Sequence, residues 1–267
     1  MSEMATSSPV TEPDKEEMPT MGFLDHLEEL RRRIIYSLIA VGVGFFFCWG
    51  YAERIYEIMQ RPIMQALQRN GLSEKLVYLN PTEPFNLYIK VGAMAGLFVA
   101  SPFVLYQVWL FISPGLYRNE KRYVMPFMFS TVALFLSGGY FGYKLVYPQA
   151  LEFLISYGKQ FQPMITIGEY TDLFLTIIIG MGVIFEMPIL VFFLSLMGIV
   201  TAGWMWRNLR YAILGIFVIA AVLTPTTDIL NMCIFAAPMV ALYVLSIAIA
   251  WLVHPSQRKK RAEKSKS

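Results

Sequence analysis

The chain has 267 residues, 56% hydrophobic and only 15% charged, with a mean hydropathy of +0.51 and a formal net charge of +3. Soluble domains carry about 25% charged residues, so this composition excludes an ordinary soluble enzyme. Several charge-poor stretches reach the roughly 20 residues that a bilayer crossing requires, and the predicted fold class is an all-α polytopic membrane protein.

Residues 1–21 are polar and acidic, with Glu3, Glu12, Asp14, Glu16 and Glu17 against Lys15. They have neither a positive leader nor an apolar core. The segment is expected to be a disordered acidic tail and not a cleaved signal peptide.

Residues 22–253 form the predicted membrane domain. In its opening, Phe23, Leu27, Leu30 and Ile34 fall at i, i+4, i+7 and i+11, one face of a helix. Glu28 and Glu29 lie one turn before Arg32 and Arg33. Two readings stay open here. The acids pair with the helix's own arginines, or one of them stays available to a cationic partner.

Six spans are predicted: Ile34 to Tyr51, Val91 to Ile112, Tyr123 to Tyr147, Leu173 to Ile199, Tyr211 to Thr224 and Ile229 to Val253. The fifth rises only about 21 Å as a helix, short of the roughly 30 Å hydrocarbon layer. Between spans one and two, Ala52 to Lys90 has room for short helices, with Pro62, Pro81 and Pro84 as expected punctuation. With six spans both termini share a side. Fifteen of the 22 Lys and Arg fall on that side and seven on the other, so both termini are predicted to be cytoplasmic.

Three further places carry chemistry. Glu120 is the one acid among Arg118, Lys121 and Arg122, in the loop that follows Pro114-Gly115. Glu186, beside Pro188, is an acid within span four. Such a group costs about 2.5–3.5 kcal/mol on insertion scales and points to function. Asp228 ends the tight Thr-Pro-Thr-Thr-Asp link between spans five and six, where it suits a helix cap.

Cys48 and Cys233 sit in apolar runs, and His26 and His254 lie at opposite ends of the chain. Neither pair suggests a disulfide framework or a metal centre. Without a nucleotide, zinc or serine-hydrolase motif, no cofactor and no enzymatic activity are expected. Residues 254–267 hold six Lys and Arg. They are expected to form a basic cytoplasmic tail beside a span, not a nucleic-acid arm.

His26-Leu-Glu-Glu-Leu-Arg31, Tyr106 to Glu120, Phe185-Glu-Met-Pro188 and Thr224-Pro-Thr-Thr-Asp228 resemble, in order, the marks of the TatC family. This is the signal-recognising component of the twin-arginine protein translocase. The resemblance implies a cup-like wall of six helices, with the fifth and sixth short. It implies a bacterial cytoplasmic membrane, binding of the paired arginines of a folded cargo's signal peptide, and export driven by the proton-motive force. Single-span partners of the TatA and TatB type and a multimeric complex are implied as well. By position, the family's recognition acids fall on Glu29 and Glu120 and its neighbouring aromatic on Phe111. Its intramembrane acid falls on Glu186, its outer-turn acid on Asp228, and its first-outer-loop proline on Pro62. The alternative is a proton-coupled solute transporter using Glu186. The lack of a visible internal repeat and the scarcity of polar residues within the spans count against it.

Overall fold

The computed structural model describes residues 23–73, 75–112, 124–158, 161, 164–224 and 229–264. Among these the secondary structure is helical, with one isolated bridge between Val77 and Thr166. The helices are α1 (Phe23–Trp49), α2 (Ala52–Arg69), α3 (Glu83–Ile112), α4 (Val124–Phe141), α5 (Tyr147–Tyr157), α6 (Ile167–Phe185), α7 (Met187–Leu196), α8 (Ala202–Arg207), α9 (Leu209–Leu223) and α10 (Ile229–Lys264).

Among the described residues, four segments are long and apolar enough to cross a membrane: His26–Trp49, Glu83–Phe111, Ile167–Leu196 and Met232–Leu252. The apolar α9 is shorter. Large side chains stand exposed along these helices, among them Phe46, Phe47, Val99, Val222 and Trp251. Apolar surface exposed on this scale requires lipid or protein around it.

Several element bounds differ from those expected. Helix α1 starts well before Ile34 and ends at Trp49, where Gly50 and Tyr51 turn the chain. The third span does not stop at Tyr147. A π-helical turn at Gly142–Val146 joins α4 to α5, and the helix continues to Tyr157. The fourth span is two helices, α6 and α7, meeting at Glu186. The sixth helix is not short: α10 runs for 36 residues and passes Val253 without a break.

The main core gathers Met59, Ile63 and Leu67 of α2, Tyr147 and Leu151 of α5, Tyr170, Phe174 and Ile177 of α6, and Phe235 and Met239 of α10. The same cluster continues to Met205 of α8 and Ala250 of α10. Val77 bridges to the residues on either side of Thr166, its N donating to Ile165 O at 3.0 Å and its carbonyl accepting from Ile167 N at 2.9 Å. A smaller cluster of Trp109 and Phe193, with Phe127 and Phe192 against it, holds α3, α4 and α7 together.

The antiparallel pair α1 and α3 is set by two glycines. A Cβ on Gly44 would lie 2.6 Å from the Gly96 carbonyl oxygen, and one on Gly96 would lie 2.5 Å from the Phe45 nitrogen. With no side chain on either, the backbones touch, as small residues permit between membrane helices. This crossing brings the start of α1 against the end of α3, and those two termini carry the first candidate site.

Candidate functional site

At the start of α1, the apolar stripe does not face the protein. Leu27 and Ile34 are about half exposed, at 45% and 49%. The face carrying His26, Glu29 and Arg33 turns instead onto α3. A membrane helix reverses the soluble pattern when its apolar side meets lipid and its polar side meets another helix.

Glu29 and Arg33, four residues apart, form an ion pair, with Arg33 Nη2 donating to Glu29 Oε1 at 3.0 Å. Arg33 Nη1 also donates to Gln107 Oε1 on α3, at 3.1 Å. The side chains are largely enclosed, 13% exposed for Glu29 and 19% for Arg33. Glu29 Oε2 and Arg33 Nε are buried and accept or donate no hydrogen bond. Glu28, by contrast, is exposed. One turn away, the His26 ring stacks on Phe111 at 4.3 Å between centroids and 18° between planes. Glu29 is thus paired with an arginine of its own helix, and its second oxygen has no hydrogen-bond partner. Glu29 and Phe111 are brought together. Glu120 and Asp228 lie outside the described residues.

The sequence named Arg33 beside Arg32 as a possible partner of the acids without choosing between them, and gave Gln107 and His26 no role of their own. Gln107 carried a usable signal, being a polar residue in the apolar α3 and one turn before Phe111, hence on its face.

Glu186 occupies the junction of α6 and α7. Its backbone closes α6 by donating to Val183 O at 3.1 Å, and its carbonyl accepts from Ile189 and Leu190 N at the start of α7. Pro188 sits in the first turn of α7, without an N–H to return to α6. The side chain lines a cavity of about 320 Å³ with Ser101, Val108, Trp109, Phe127, Thr131 and Phe193 among its walls. The Ser101 and Thr131 hydroxyls donate to the backbone of their own helices, at Phe98 O and Phe127 O. Glu186 Oε1 and Trp109 Nε1 are buried without a hydrogen-bond partner. An orphaned buried acceptor or donor costs about 1–3 kcal/mol, so this hollow suits a polar group from outside. The last turns of α3 join the two sites: Gln107 reaches α1, while Val108 and Trp109 wall the cavity.

Pro62 was expected to punctuate the loop. It lies instead inside an unbroken α2, with its ring buried. A proline there deprives the carbonyl four residues back of its donor. That carbonyl, Ile58 O, accepts from the Tyr143 hydroxyl at 2.8 Å, and the next one, Met59 O, accepts from Tyr170. Pro62 thus frees the Ile58 carbonyl, through which α2 docks on the π turn, while the neighbouring Met59 carbonyl takes the Tyr170 hydroxyl of α6.

Among the described residues, no cluster of three His, Cys, Asp or Glu side chains could hold a metal. The family model described as Sec-independent protein translocase protein (TatC) matches residues 25–238. A protein of that name from Koribacter versatilis is 70% identical over 249 residues, covering 93% of this chain and 92% of its own. One from Aquifex aeolicus is 34% identical over 248 residues, covering 92% and 100%. A crystal structure described as the twin arginine translocase receptor TatC aligns with a TM-score of 0.76 at 34% identity, over 85% of this chain and 99% of that one. Motif order, helical architecture and likeness along nearly the whole length agree, and the chain belongs to the TatC family of Sec-independent protein translocase proteins.

Proposed function

We propose that this protein is the receptor of a bacterial twin-arginine translocase. It is a multi-pass integral membrane protein, and it binds the paired arginines of a folded cargo's signal peptide. The observation that supports this most is the Glu29 carboxylate, half satisfied and enclosed between α1 and α3 one turn from the Phe111–His26 stack. An arginine fork matches a carboxylate with an unpaired oxygen, because guanidinium can donate two parallel hydrogen bonds. Away from bulk water each such bond is strengthened. Glu120 supplies the second acid, and the apolar part of the signal peptide lies along the exposed apolar helices.

In this reading six spans place both termini in the cytoplasm. Glu186 and Trp109 receive a polar side chain from the single span of a TatA- or TatB-type partner. The 320 Å³ hollow is walled almost wholly by apolar side chains, which suits a helix side chain better than a hydrated solute. The chain acts as an assembly platform in a multimeric complex. It performs no catalysis, and the proton-motive force supplies the energy.

The test is export of a twin-arginine reporter. Glu120→Lys should abolish export while leaving the protein in the membrane, and Glu29→Ala should reduce it. Crosslinking of a signal peptide beside its arginine pair should reach the start of α1 and fall in both variants. Normal export and crosslinking in both would place recognition elsewhere.

A further inference from the structure

We propose that Arg33 is a resident competitor for the Glu29 carboxylate and thereby sets the preference of this site for arginine over lysine. The inference rests on the reading that Glu29 receives a signal-peptide arginine.

The argument starts from how Arg33 is held. Its Nη1 is tied to Gln107 on α3, which is 5% exposed, so it meets Glu29 through Nη2 alone. The resident pair is therefore single-bonded, with Glu29 Oε2 and Arg33 Nε both left over. Arg31 and Arg32 are exposed. A partly enclosed carboxylate that already has one cation does not attract every passing ammonium. A newcomer must better the existing bond.

An external guanidinium can do so. It can engage both carboxylate oxygens at once, which Arg33 in its present tether does not. A lysine ammonium is a point charge that is more strongly hydrated and has no planar fork. At Glu29 it offers what Arg33 already provides, and it loses more hydration on entry. The exchange is favourable for arginine and not for lysine. Without Arg33, Glu29 would be a buried carboxylate lacking any cation, and that state accepts either. Selectivity here comes from the competitor the site already holds, a form of discrimination against the wrong ligand.

The experiment measures binding of two synthetic peptides to the full-length chain in lipid nanodiscs. One carries Arg-Arg before an apolar stretch, and the other carries Lys-Lys in the same context. Arg33→Gln should raise lysine-peptide affinity more than arginine-peptide affinity, narrowing the ratio by about tenfold, equivalent to ~1.4 kcal/mol. Arg33→Lys retains a charge without the fork and should narrow it by a smaller factor. It carries the test if the glutamine variant does not assemble. An unchanged ratio in the assembled variants would overturn the proposal, leaving Arg33 as a brace between α1 and α3. Glu29→Gln separates this failure from that of the underlying reading. If that variant binds the arginine peptide at wild-type strength, Glu29 is not the receptor acid. If it loses binding while the ratio stays fixed in the Arg33 variants, only the competitor role fails. In the double variant Glu29→Gln, Arg33→Gln, the ratio should no longer depend on residue 33, and a persisting dependence would also overturn the proposal.

Discussion

At Glu186 a carboxyl group lies in an apolar segment, and one of its oxygens has no hydrogen-bond partner. Glu186→Gln keeps the shape and most of the bonding capacity, and Glu186→Ala removes both. If hydrogen bonding to a partner span is the role, Gln should retain partner crosslinking and export while Ala loses them. If proton exchange is required, both should fail. Signal-peptide binding at the start of α1 should survive either change, which a binding assay alongside export would read. This acid was legible in the sequence because a charge in an apolar run is conspicuous. Trp109, which shares its cavity, was not. An indole in an apolar helix looks like any core aromatic, and only the geometry shows its N–H unpaired. Which arginine pairs with Glu29 was illegible for the opposite reason: neighbouring arginines look interchangeable until one of them is seen tied to Gln107.

Among the elements, α2 shows how a helix breaker can serve as an attachment. The Ile58 carbonyl, without its helical donor, accepts from the Tyr143 hydroxyl, and the neighbouring Met59 carbonyl accepts from the Tyr170 hydroxyl. Tyr170 is 2% exposed, whereas the Tyr143 contact lies in a more open position. Tyr170→Phe should therefore destabilise the fold by about 1–3 kcal/mol, and Tyr143→Phe by about 1 kcal/mol or less. Thermal unfolding in detergent would rank the two. A larger loss at Tyr143 would contradict this account of the docking. The sequence placed helices where apolar runs lay, but it ran span four through Glu186 and Pro188 as one element, where the structure has two helices. It did not disclose that Pro62 sits within a helix, because the compensating tyrosines are more than 80 residues away. Nor did it show α4 running on into α5. The π turn there has no signature beyond an ordinary Gly-Tyr-Lys-Leu-Val sequence.

For the whole molecule, membrane character and family membership were readable from charge-poor runs and four motifs in fixed order. The loop charges argue for cytoplasmic termini, and labelling tests that proposal. A cysteine introduced near Leu72 should react with a membrane-impermeant thiol reagent in intact spheroplasts. One at Ser256 should react only after lysis. The reverse pattern would invert the topology and remove Glu29 from the compartment where signal peptides are made.

The 15 residues of α9 span about 22 Å. Its neighbour α10 offers a 21-residue apolar stretch, Met232–Leu252, or about 31 Å. Lipids beside α9 must shorten their acyl chains or leave its ends dry, whereas those beside α10 need not. Mismatch costs a fraction of a kcal/mol per Å, so a gap of about 8 Å against a typical hydrocarbon layer is appreciable. The protein should thus carry a tapered annulus of lipid, thinnest along α9. Reconstituted transport should rise as acyl chains are shortened from about 20 to about 14 carbons, and the resting membrane's leak to small ions should rise along the same series.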